Sequence, residues 1–133
     1  ICRDVLAADA SQRAARVQLI LALTDQFEGH AGPGIQQVLE LVGGLDEEYE
    51  RVYYTGIVYE REAKARLRRE YPGAQFDAWE LVNTAMEHYE RADSLREAGN
   101  EDARLHWNTC IRLIADRSLV PRPDSDEREA AGD

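Results

Sequence analysis

The dipeptide Pro72-Gly73 separates two long runs of helical periodicity, and this constrains the fold more than any other feature of the chain. Upstream, DEEYERVYYTGIVYEREAKARLRREY opens at Asp46 with Glu47 and Glu48 in its first turn and closes with Arg66, Arg68 and Arg69, the charge order that a helix dipole favours. Downstream, Asp77 and Glu80 resemble an N-terminal capping box, and Ala78, Leu81 or Val82, Ala85, Tyr89, Ala92 and Leu95 recur at helical spacing. Proline cannot continue a helix, and a connection of so few residues sends the second helix back along the first. An antiparallel pair of unusually long helices is therefore expected.

The rest of the chain extends that pattern. Ser11 or Asp9 is suited to cap a first helix with Ala14, Val17, Ile20, Leu21 and Leu23 or Thr24 on one face, ending near Phe27 where EGHAGPG begins. A short second helix from Ile35 to Val42 presents Ile35, Val38, Leu39 and Val42 and stops at Gly43-Gly44. Gly99 ends the fourth helix and Asn100 caps a fifth, with Ala103, Trp107, Cys110, Ile111 and Ile114 as its buried face. No stretch alternates long enough to pose a strand. The predicted fold is all-α: about five helices in antiparallel hairpins, with residues 1–119 as one domain and 120–133 as a disordered acidic tail.

Charge and cysteine usage bound the function classes. The 133 residues carry 26 acidic and 16 basic side chains, a net charge of −10, which disfavours a nucleic-acid backbone or an anionic membrane as partner. The longest apolar run, Leu19 to Leu23, is far short of the roughly 20 residues that span a bilayer, and Ile1 to Ala10 lack the basic and apolar regions of a signal peptide. Cys2 and Cys110 stand far apart with no paired spacing, so a reduced thiol in a cytoplasmic protein is expected, without a zinc site.

Helix three contains Val52, Thr55, Gly56 and Tyr59, and helix four Ala85, Tyr89 and Ala92. Glycine inside an otherwise good helix costs up to about 1 kcal/mol relative to alanine, so a close helix crossing is its natural explanation. This succession of small and aromatic residues resembles the tetratricopeptide-repeat family, and the segments YYTGIVYEREAKARL and AGNEDARLHWNTCIRLI are similar to an uncharacterised bacterial group within it. The resemblance covers about Glu47 to Ile114. It departs from the repeat in spacing: Gly56 and Ala85 are 29 residues apart, which requires longer helices, and the proline expected after the second helix is missing. The resemblance implies a right-handed helical repeat that binds proteins through a concave surface, with no catalytic residue to carry over.

Candidate chemistry is sparse. No Glu-x-x-His pair supports a di-iron site, Asp102 and His106 alone are too few for a tight metal site, and no phosphate loop, dinucleotide fingerprint or nucleophile elbow is present. His106 and Cys110 have the i, i+4 spacing of a base and a thiol, yet Cys110 shares its face with Trp107, Ile111 and Ile114, where burial suppresses ionisation. The basic run Arg61, Lys64, Arg66, Arg68 and Arg69 interleaves with Glu60, Glu62 and Glu70, as i, i+4 ion pairs require.

The expected role is a non-enzymatic scaffold for a protein or peptide partner, with no cofactor and no metal. Tyr54, about 100° around the helix from Tyr53, is assigned to the partner groove together with Asn83, Arg91, His106 and Asn108. Asparagine gains a helix interior little, so a hydrogen-bonding task would justify Asn83 and Asn108; His106 and Asn108 are placed on the outer side of the fifth helix. Helices three and five are expected to form the groove, with the first helix closing one side. Two alternatives remain open: a self-associating homodimeric subunit, because few repeats leave an apolar end to cover, and a small helical-bundle enzyme or ligand-binding protein with a pocket at His88 or His106.

Overall fold

The computed structural model describes residues 2–29 and 34–123, with side chains from residue 9 onward. Its elements are α1 (Cys2–Thr24), α2 (Ile35–Gly43), α3 (Glu48–Arg69), α4 (Ala74–Leu95) and α5 (Asp102–Asp116), with no strand among the described residues. Successive helices pack on one another, and α1 also reaches α3. The most extensive contact joins α3 to α4, the long pair flanking Pro72-Gly73.

α3 is the central element because it is apolar on two faces. Val52, Ile57, Ala63 and Leu67 join Ala78, Val82, Ala85, Tyr89, Ala92, Ala103 and Cys110 in a core shared with α4 and α5. Val58 and Ala65 join Ile20, Phe27, Val38, Val42 and Leu45 in a second core, against α1 and α2. Full burial of an aliphatic side chain such as Ile20 or Val58 contributes about 1.5–3 kcal/mol each. This is how α2, at 9 residues too short to persist alone, is held in place. Of the alternatives Leu81 and Val82, Val82 is fully buried and Leu81 only partly.

Helix ends differ from expectation in instructive ways. α1 starts at Cys2 rather than at Asp9 or Ser11, because Arg3 to Ala8 are all compatible with helix and nothing forces a start later. Ala14 is exposed, as are residues 9–16 generally, so the predicted stripe of α1 packs only from Val17 onward. α3 opens at Glu48 instead of Asp46, and the Arg51 Nη1 donates to the carbonyls of Leu45 and Asp46, both at 2.7 Å, fastening the preceding loop.

α4 begins at Ala74, so Asp77 is not its cap; Gly73, at φ +87°, makes the turn that L side chains resist. The Asp77 carboxylate instead accepts from the Tyr71 hydroxyl at 2.7 Å and from Arg122 at 2.5 Å. α4 stops at Leu95, before Gly99, and Leu95 and Ile111, expected in the core, are 39% and 42% exposed. Both lie at the edges of faces whose centres, Ala92 and Cys110, are fully buried. α5 begins at Asp102, yet Asn100 still serves its start: its Oδ1 accepts from the Asp102 N–H at 3.1 Å and its Nδ2 donates to the Tyr49 hydroxyl at 3.0 Å. Of the acidic tail expected over 120–133, residues 120–123 are described, with Arg122 bound to Asp77 and over the Phe76 ring, and 124–133 lie outside the described residues. No described helix is long and apolar enough to cross a membrane.

Candidate functional site

The most unusual polar group of the fold is Glu60, on α3 and only 4% exposed. It stands one turn after Gly56, where a methyl group would lie 2.7 to 3.1 Å from ring atoms of Tyr89. The missing side chain admits that ring against the α3 backbone, and the Tyr89 hydroxyl then donates to Glu60 Oε1 at 2.8 Å. Gly56 thus explains both the close crossing and the carboxylate's first partner.

Other donors converge on the same group. Lys64 Nζ is 2.7 Å from Oε2, while His106 Nδ1 and Cys110 Sγ approach Oε1 at 3.1 and 3.7 Å. An ionised carboxylate only accepts, so the His106 Nδ1 bears the proton in this contact. The imidazole lies against the Tyr89 ring, with centroids 5.3 Å apart, and meets the Tyr53 ring edge-on at 5.7 Å. Tyr53 stacks in turn on Tyr49 at 5.7 Å, whose hydroxyl holds Asn100.

Burial by itself would push the Glu60 carboxyl upward; hydrogen bonds from His106, Lys64 and Tyr89 and the Lys64 charge outweigh it and hold the group down at about 2. Burial, then the adjacent Glu60 charge, pushes the Cys110 thiol up to about 12. Burial and the same charge raise Tyr89, and burial raises Tyr53. Cys110 is therefore a protonated thiol at neutral pH and no nucleophile, and a carboxyl held so low is a weak base. What the arrangement does well is hold three helices together: α3 supplies the acceptor and the Lys64 donor, α4 the Tyr89 hydroxyl, and α5 His106 and Cys110.

The five residues assigned to a partner groove do not converge. Tyr54 is half-buried on α3, edge-on to Tyr53 at 5.0 Å and in contact with both cores. Asn83 donates to the carbonyl of Trp79, on its own helix, at 2.8 Å. Arg91 reaches Glu48 at 2.6 Å on the surface. His106 turns inward to Glu60 rather than outward, because Nδ1 and the ring face are both claimed by the buried cluster. Asn108 alone of the five is exposed beside a cleft, which it lines with Trp107 and Arg104.

α1 packs on α2 and α3 and does not close a groove between α3 and α5. The clefts lie elsewhere. One of about 220 Å³ between the end of α1 and α3 is lined by Thr24, Asp25, Glu28, Arg61, Lys64 and Arg68, whose cations are already paired: Arg61 with Asp25, Lys64 with Glu60, Arg68 with Glu28. A second, of about 300 Å³, opens between α4 and α5 and is mainly apolar. A third, of about 360 Å³, is open and shallow beside Leu19 and Leu41. Among the described residues no three His, Cys, Asp or Glu side chains are grouped to hold a metal ion.

Glu60 escaped sequence reasoning because it sits in a run of alternating acids and bases, where each charge looks solvated. The available signal was its register: Gly56, Glu60 and Ala63 share one helical face, and a carboxylate between two small buried residues needs donors. Compared with known proteins, the chain matches no family model, no curated protein and no solved structure.

Proposed function

We propose that the chain is a non-catalytic, tetratricopeptide-like helical scaffold that binds a protein or peptide partner. The observation that carries this reading is the crossing of α3 and α4 at Gly56, where the Tyr89 ring fills the space left by a missing side chain. It is the pairing of small and aromatic residues on which such helical repeats rely. The electrostatics agree: the most buried polar cluster is satisfied internally, its thiol is protonated, and its carboxylate is committed to structural donors. A surface is then left as the working part of the molecule.

The test is affinity capture from the source cell with the chain lacking residues 124–133, beside an unrelated helical protein of matched net charge. Specific retention of a protein by this chain and not by the control is expected. Retention of nothing above the control would sink the proposal.

A second reading is a self-associating subunit, favoured by Leu105 and Ile111, which are 58% and 42% exposed on the last helix. A repeat that ends on an apolar face must cap it or pair it. Light scattering over a range of concentrations distinguishes the two, and Leu105→Glu with Ile111→Glu would turn a concentration-dependent dimer into a monomer. A mass that stays monomeric throughout removes this alternative.

A further inference from the structure

Resting on the scaffold reading, we propose that the cleft between α4 and α5 is the partner site, and that it takes an apolar side chain presented beside a lysine or arginine. The cleft is of a size for one large or two small apolar side chains, about 300 Å³, and is lined by Tyr89, Glu90, Asp93, Arg104, Trp107 and Asn108. Its accessible aromatic surface is that of Trp107, since Tyr89 is fully buried; such a side chain suits a binding surface because it offers large rigid area at low entropic cost.

Its polar groups set the partner's chemistry. Asp93 is already ion-paired, with Arg96 at 3.1 Å and Arg104 at 3.3 Å, although its buried Oδ1 accepts no hydrogen bond among the described residues. Glu90, exposed on the rim, has no ion-pair partner among the described residues. A cation placed next to the apolar side chain meets that free carboxylate, on a chain whose net charge of −10 attracts basic segments over a longer range. The Trp107 indole N–H is buried and has no acceptor among the described residues. Asn108, exposed at the opening, offers a peptide backbone both a donor and an acceptor. An acidic or purely polar segment would satisfy neither Trp107 nor Glu90.

The experiment is an NMR titration of the intact chain with short synthetic peptides carrying Leu-Lys, Leu-Glu or Asn-Lys in a Gly-Ser background. The Leu-Lys peptide is expected to shift the Trp107 indole resonance and the amides of residues 89–93 and 104–108. The other two peptides should bind several-fold more weakly. Glu90→Lys, at an exposed position, should weaken the Leu-Lys peptide roughly fivefold and restore binding of Leu-Glu. Equal shifts with all three peptides, shifts confined to α1 and α3, no shift at all, or no effect of Glu90→Lys would each overturn the assignment. Cleft shifts that follow protein concentration without peptide would overturn it in favour of a second copy. If a captured partner is retained equally by the Glu90→Lys chain, the scaffold reading stands and this cleft is excluded as its site.

Discussion

Substituting Glu60 by glutamine isolates what the buried carboxylate contributes to the fold. The side chain keeps its size, but the charge that Lys64, His106 and Tyr89 converge on is gone, and an amide N–H replaces one acceptor oxygen. The folded carboxyl is held at about 2 against an ordinary 4.5. At about 1.4 kcal/mol per pH unit, that difference corresponds to roughly 3 kcal/mol. Because the folded value lies below the unfolded one, this stabilisation is complete above the unfolded value and disappears as the pH falls toward the folded one. Glu60→Gln is therefore expected to melt about 10 °C below the native chain at neutral pH, given a few degrees per kcal/mol for a domain of this size. The gap should close progressively in acid. Thermal unfolding followed by far-ultraviolet circular dichroism from neutral pH to about pH 2.5 measures both, and the other carboxylates cancel in the comparison. Equal melting temperatures at neutral pH, or a gap that keeps its size throughout the acid range, would refute the reasoning.

Gly56→Ala places a methyl 2.7 to 3.1 Å from the Tyr89 ring; overpacking at about 1–3 kcal/mol against a helix-propensity gain of up to about 1 leaves a net loss of about 1 kcal/mol in urea unfolding. Tyr89→Phe in the same chain should give no relief, since the ring remains. The Cys110 thiol, pushed up to about 12, should resist iodoacetamide in the native chain and react in urea; peptide mapping that finds it alkylated quickly at neutral pH without denaturant would contradict its burial. Asn100→Ala should cost about 1 kcal/mol through loss of the Asp102 cap and the Tyr49 bond. Asn100→Asp should recover part of that loss, because it keeps the acceptor for the Asp102 N–H and gives up only the donor to Tyr49.

Local sequence signals were enough to set the five helices of the described residues and the sites of their connections. Proline, glycine and the end-charges of α3 act on the chain locally, so they could be read from neighbours a few residues away. Ala78, Ala85, Tyr89 and Ala92 likewise declared themselves core through spacing alone, since one helical face must be buried whatever covers it. Helix ends were less legible: Asp77 has the residue type of a cap, but Tyr71 and Arg122 compete for its oxygens and Gly73 starts the helix a turn earlier.

What the charged and aromatic residues of α3 and α5 do was settled by packing between helices. Glu60 looks like any surface acid beside an arginine until α4 and α5 bring Tyr89 and Cys110, 29 and 50 positions away in the chain, to the same oxygen. His106 changed from a solvent-facing candidate to a buried-network donor for the same reason. A helical wheel gives a residue's direction but not the neighbour it meets, and the strength of a hydrogen bond or a charge interaction depends on that neighbour and on the exclusion of water around both.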